Sequence, residues 1–109
     1  QRAARTTARR FDEALKPVGL TSGQYSILMS LNRPDPPRMS EVSWVLAMDR
    51  TTLTANVKPL ERRGLLEIHI DQKDKRIRRL ALTDAGRDLL VKAVPILRKD
   101  LLALAFGAK

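Results

Sequence analysis

Cysteine is absent from the 109 residues, and aromatic side chains make up only 4% of them: Trp44, Tyr25, Phe11 and Phe106. Without cysteine, neither a disulfide framework nor a thiolate metal site can be built from this chain. The single histidine, His69, cannot hold zinc without companion ligands, so no metal and no cofactor is expected. No apolar run reaches the roughly 18 residues needed to cross a bilayer, and no secretory signal pattern is visible. The expectation is therefore a cytoplasmic protein that does not engage membranes. P-loop, dinucleotide-type glycine and Ser/His/Asp patterns are also missing. Asp12 and Glu13 are helix neighbours rather than an opposed acid and base, and the chain does not read as an enzyme. It starts on Gln1 rather than methionine, so each absence argued from it applies to the residues shown.

Positive charge is abundant. Twenty-one Lys and Arg against twelve Asp and Glu leave a net +9, an excess that attracts polyanions. Residues 50–79 hold nine cations (50, 58, 62, 63, 73, 75, 76, 78, 79) against four acids (61, 67, 71, 74). Arg2, Arg5, Arg9 and Arg10 open the chain before any acid appears. Taken alone, such charge fits a solvated surface as well as a nucleic-acid contact, so the order of elements has to decide.

Ala4, Ala8, Phe11 and Leu15 repeat at helical spacing, predicting a first helix from Gln1 to about Lys16 that Pro17 and Gly19 end. Thr21-Ser22-Gly23-Gln24 has the form of a capping box. It opens a second helix with Tyr25, Leu28 and Leu31 toward the core. Three prolines in 32–38 impose a loop. Ser40 then caps a short third helix with Val42, Val45 and Leu46 inward. Ala47-Met48 forms a tight turn, Asp49 caps a fourth helix, and Gly64 ends it. Pro59, inside that helix, should bend it or loosen its last turns. Leu66–Ile70 alternates as a strand, 71–75 is a polar turn, and Arg76–Leu82 returns as a second strand with Leu80 and Leu82 inward. Thr83 caps a last helix to about Ala105. Its wide apolar stripe, from Leu90 through Val94, Leu97 and Leu101 to Leu104, calls for a partner in the first helix, in a second subunit, or in both. Core packing is the expected role of Trp44 and Tyr25, with the lining of a small-molecule pocket as the alternative.

The fourth helix carries the most information. Leu53, Val57 and Leu60 share one face, while Thr51, Thr54, Ala55, Lys58 and Arg62 lie opposite. That outer face is short, polar and positive, with no carboxylate before Glu61, and it suits a helix lying in the DNA major groove, where each base pair shows a distinct donor and acceptor pattern. Thr51, Thr52 and Thr54 can reach bases or phosphates, unless they serve only helix-start capping and packing. Arg50 and Lys58 suit phosphates at the groove edge. Asn56 has the chemistry to pair with adenine, although the helical wheel turns it toward the buried flank. In the hairpin, Arg76 can enter a minor groove, with Lys73 and Lys75 adding phosphate attraction that weakens in salt.

Helix, helix, short helix, recognition-like helix, wing and long helix follow one another in an order that resembles the MarR family of bacterial transcriptional regulators. The resemblance rests on Leu20-Thr21 with Gln24, on Asp49-Arg50-Thr51-Thr52-Leu53-Thr54, on Leu60-Glu61 with Gly64-Leu65, on Asp74-Lys75-Arg76, and on Leu82-Thr83 with Gly86. It implies a mainly α fold with a small β-wing: a winged helix-turn-helix over 20–83, with the wing at about 66–82, flanked by dimerisation helices at 1–19 and 84–109. It also implies a homodimer, with Phe11, Leu90, Val94, Leu97, Leu101 and Leu104 toward the partner, acting on a pseudo-palindromic double-stranded operator. Such proteins are usually repressors, released by a small aromatic or anionic effector or by oxidation. By the same resemblance, Asp74 pairs with Arg76 and aims it. Many relatives carry an arginine shortly after the recognition helix, where this chain has Glu67-Ile68. The rival readings are a winged-helix module for RNA or a protein partner, and a membrane-surface protein using the basic first helix. An RNA reader would be expected to carry stacking aromatics, and the fourth helix and wing have none.

Overall fold

The computed structural model describes the backbone of residues 2–106 and the side chains from Ala8 onward. Five helices and one hairpin follow in the order α1 (Arg2–Ala14), α2 (Ser22–Ser30), α3 (Met39–Val45), α4 (Arg50–Arg62), β1 (Leu66–Ile70), β2 (Arg78–Leu82) and α5 (Asp84–Ala105). A 3₁₀ turn at Lys16–Val18 follows α1, with Pro17 in its opening turn. Ala4, and Arg2 and Arg5 of the basic opening, lie outside the described side chains.

Local chemistry sets most boundaries. Thr21 and Gln24 form both halves of the capping box: the Gln24 amide donates to Thr21 Oγ1 at 3.1 Å and the Thr21 amide to Gln24 Oε1 at 3.0 Å. Asp12 of α1 accepts from the Ser22 amide at 2.6 Å, which places a carboxylate at the positive end of α2. α3 differs from the expectation. It begins at Met39, one residue before Ser40, and Arg38 at its cap position makes no side-chain cap. Asp49 does cap α4, accepting from the Thr52 amide at 2.8 Å. α4 runs on through Pro59 to Arg62, and α5 likewise through Pro95. Gly64, at φ 74°, provides the left-handed turn that redirects the chain into β1.

The core is aliphatic throughout. Leu15, Ile27, Leu28, Leu31, Val42, Leu53, Val57, Leu60, Leu66 and Leu80 are all nearly or fully buried. Leu53, Val57 and Leu60 form the inward stripe of α4, each contributing roughly 1.5–3 kcal/mol of transfer free energy. Antiparallel pairing sets Leu66 opposite Leu82 and Ile68 opposite Leu80, so one face of the hairpin packs inward.

Four expectations are corrected here. Val45 is 59% exposed, and Trp44, at 84%, packs in no core: a two-turn helix buries one narrow stripe, and α3 uses Met39 and Val42 for it. Tyr25 is half-buried and packs against the core as expected, and Ile27, one position before Leu28, joins that core as well. The second strand begins at Arg78, leaving Arg76 in the turn. Leu90, at 3% exposure, packs with Ala93 into the protomer's own core and so cannot be a dimer contact.

The junction between α4 and α5 is the tightest described. Thr83 donates its amide to Leu65 O at 3.2 Å and its hydroxyl to Gly64 O at 2.6 Å, while Gly86 donates its amide to Thr83 Oγ1 at 3.0 Å. A Cβ on Gly86 would collide with the Leu65 carbonyl and stand 2.7 Å from Leu82 Cδ1. Gly86→Ala should therefore cost about 1–3 kcal/mol, as overpacking at a rigid backbone contact does. Urea unfolding of the two proteins checks this, and an unchanged midpoint would show that the junction gives way.

Candidate nucleic-acid interface

The outer surface of α4 is built from what its core stripe leaves over. Arg50, Thr51, Ala55 and Lys58 are exposed and Thr54 is half-buried. Arg50, Thr51, Thr54 and Ala55 together line a shallow concavity at the start of the helix. These side chains are short or flexible, so a flat polyanion can approach the backbone closely. Two residues considered for DNA contact are occupied within the helix. Thr52 donates its hydroxyl to Asp49 Oδ2 at 3.1 Å, and Asn56 donates Nδ2 to the Thr52 carbonyl at 2.9 Å. Hydrogen bonds from the Thr52 amide and hydroxyl hold the Asp49 carboxyl below its ordinary range. Lys58 lies 4.0 Å from Glu61, a loose exposed pair that leaves its charge available.

α3 meets α4 through a tight turn in which Ala47 takes φ 52°, and the Ser43 hydroxyl donates to the Met48 carbonyl. At the other end, Arg63 donates to Gly19 O at 2.7 Å, bolting the foot of α4 to the segment between α1 and α2.

The wing turn is organised by two aspartates. Asp74 takes a forked pair from Arg76, Nε to Oδ1 at 3.1 Å and Nη2 to Oδ2 at 3.0 Å. The Arg76 side chain is nonetheless 90% exposed, so the fork orients a guanidinium that still faces solvent. Lys73 and Lys75 flank it, both exposed. Asp71 was not singled out from the sequence. Its Oδ2 accepts the Lys73 and Asp74 amides at 3.0 and 2.9 Å, and its Oδ1 accepts Arg79 Nε at 2.7 Å. An aspartate closing a strand before a polar turn is the signature of such a side-chain-to-backbone turn. Arg79 carried no local signal. His69 pairs with Glu67 at 2.9 Å on the exposed face of β1, and no group of His, Cys, Asp or Glu suited to a metal ion occurs among the described residues.

A separate apolar cavity of about 610 Å³ lies between α1, α2 and α5. Phe11, Tyr25, Val94, Leu97 and Leu101 line it, with Arg98 supplying a cation. Tyr25 is thus a wall of this cavity, and Trp44 is not among its lining residues. Of the last-helix residues expected at a dimer contact, Leu101 and Leu104 are about half exposed.

Charge pairing governs how the wing responds to acid. The Arg79 guanidinium, then the Asp74 amide, hold the Asp71 carboxyl below the ordinary aspartate range, and the Arg76 side chain and amide do the same for Asp74. Groups with depressed folded values stabilise the turn fully above the ordinary aspartate value, and that contribution is lost as pH falls through the depressed ones. The wing should therefore keep its order at pH 5 and loosen only in stronger acid. A carbon-detected NMR titration of the two carboxyls checks this; midpoints at or above the ordinary value would mean the pairs do not form.

A model of the MarR family matches residues 20–77, just over half of the chain. The M. tuberculosis transcriptional regulator MosR, solved in complex with DNA, is 37% identical with a TM-score of 0.85, over 99% of this chain and 77% of that one. The transcriptional repressor CouR, solved bound to a 23-mer DNA duplex, is 30% identical with a TM-score of 0.86, over 97% and 77%. The HTH-type transcriptional regulator BilQ of Clostridioides difficile (strain CD3) is 30% identical over 79 residues, which are 72% of this chain and 53% of that protein. The chain spans little more than half the length of the curated relatives it matches. The family match falls on the elements just described, from Leu20 before α2 to the turn of the wing, and on that ground the chain belongs to the MarR family.

Proposed function

We propose that this chain is the DNA-reading region of a cytoplasmic transcriptional regulator, a homodimeric repressor on a pseudo-palindromic operator. The observation that carries the reading is the exposed face of α4, polar and positive over its first three turns, with its apolar stripe fully taken up by the core. Arg50, Thr51, Thr54 and Lys58 are the residues available to bases and phosphates in the major groove, whereas Thr52 and Asn56 serve the helix itself. Lys73, Lys75 and Arg76 bring the wing to the flanking backbone and minor groove, with Asp74 aiming Arg76. MosR and CouR, both solved on DNA, support the same reading.

In this reading residues 20–83 form the DNA-binding unit, and 1–19 with 84–109 form the dimerisation helices. Leu101 and Leu104, continuous with the exposed Leu102 and Phe106, offer the apolar surface a second copy would cover, with Phe11, Val94 and Leu97 behind them. Two copies would then set their α4 helices about 34 Å apart, in successive major grooves. The cavity beside α5, apolar apart from Arg98, two serines and the Tyr25 hydroxyl, suits a small aromatic or anionic effector.

Selection of bound duplexes from a random DNA pool, with sedimentation of the same sample, tests the reading. An enriched inverted repeat and a dimer are expected; uniform, salt-sensitive recovery would overturn it. On the enriched duplex, Arg76→Ala should weaken binding several-fold without lowering the melting temperature, and unchanged affinity would remove the wing from the interface. Leu101→Asp should yield a folded monomer with lost operator affinity. It is a cleaner probe than Leu97→Asp, because Leu97 also packs against the protomer core.

A further inference from the structure

The wing turn lies beyond the reach of the apolar core. Burial along the hairpin ends with Ile68 and Leu80, while Ile70 is 56% exposed and its partner Arg78 is exposed. A two-stranded hairpin has little stability of its own, so whatever fixes the direction of its outer half must be polar.

Arg79 is placed to do this. Its Nε donates to Asp71 Oδ1 at 2.7 Å and its Nη1 to the Pro36 carbonyl at 2.9 Å. The first bond grips the aspartate whose other oxygen holds the Lys73 and Asp74 amides. The second reaches the loop between α2 and α3. It is the only side-chain hydrogen bond joining the hairpin to another element among the described residues. Backbone contacts run beside it: the Leu80 amide donates to Pro37 O at 3.0 Å, and Arg38 bridges Arg79. Pro37 is fully buried and the loop has three prolines, so Arg79 is anchored to a stiff support. The Arg79 side chain is 31% exposed, with Nε and Nη1 engaged in these two bonds and Nη2 without a partner among the described residues, so a test has to separate a clamp from a direct phosphate contact.

We propose that Arg79 is the positioning residue of the wing: by spanning Asp71 and the Pro36 carbonyl it fixes the Asp74–Arg76 turn relative to the helix-turn-helix, so that its effect on DNA affinity passes through Arg76. The inference rests on the DNA-binding reading above and names a device within that site.

Two variants separate the clamp from the turn. Arg79→Gln removes both anchors. Asp71→Asn retains one oxygen for the Lys73 and Asp74 amides while turning an amide donor toward Arg79, and it serves if Arg79→Gln does not fold. Affinity for the duplex enriched by the wild-type protein is measured for each variant, for Arg76→Ala and for the double variants. Backbone order at residues 72–77 is followed by ¹⁵N relaxation in the free proteins.

Each clamp variant should weaken binding several-fold and loosen 72–77, yet add nothing in the Arg76→Ala background. Multiplicative losses, with a salt slope reduced by about one in both backgrounds, would make Arg79 a phosphate contact and overturn the proposal. Full affinity or an unchanged turn in a folded clamp variant would overturn it as well, while leaving the DNA reading intact. If the wild-type protein enriches no duplex, the DNA reading fails first and this inference falls with it.

Discussion

Three hydrogen bonds centred on Thr83 hold the functional half of this molecule together. They join the end of α4, the mouth of the hairpin and the first turn of α5 at one point, with Gly86 letting the backbones meet. Because β1 leaves from Leu66 and β2 returns at Leu82, closing this junction fixes where the wing emerges relative to α4. The same bonds start α5, whose Leu90 and Ala93 then pack under the helix-turn-helix. The start of the last helix is thereby tied to the base of the hairpin and the end of α4 through one backbone bond and two bonds of the Thr83 hydroxyl.

Apolar and polar forces divide the molecule between them. Aliphatic burial positions α4, and three acids paired with arginines organise what the core cannot reach: Glu41 with Arg33 at 2.7 Å, Asp71 with Arg79, and Asp74 with Arg76. The exposed pairs, Glu41 with Arg33 and Asp74 with Arg76, add little stability. What they supply is direction. Carboxylates near the wing are engaged by a neighbour, and Lys73, Lys75 and the outer edge of Arg76 are left to set the local potential. Glu67 pairs with His69, so it takes no part in the wing turn.

Much of this was legible from the sequence because local signals agreed with the global fold. The capping box at Thr21, the Asp49 cap, the turn at Gly64, the strand Leu66–Ile70 and the end of α5 at Ala105 all stand where expected. The failures share a cause: periodicity gives a stripe, but not what the stripe faces. Over the seven residues of α3 that ambiguity put Val45 inside. Along α5 it could not separate Leu90, which is buried in the core, from Leu101, which is half exposed at the edge of the cavity. Arg79 was invisible for a different reason. Its partners are an aspartate eight residues away and a carbonyl 43 residues away, and nothing in sequence spacing distinguishes a tethered arginine from one facing water.

The aliphatic core has a spectroscopic consequence. No ring is locked inside: Tyr25 and Phe11 are half-buried, while Trp44 and Phe106 stand largely in solvent. A fully folded sample will therefore show weak near-ultraviolet circular dichroism and red-shifted tryptophan emission, two signals otherwise taken to mean that tertiary packing has been lost. Those two signals alone carry no information on whether the native packing is present. For this molecule the cooperativity of its unfolding, rather than its aromatic optical signals, distinguishes the ordered state from the collapsed one.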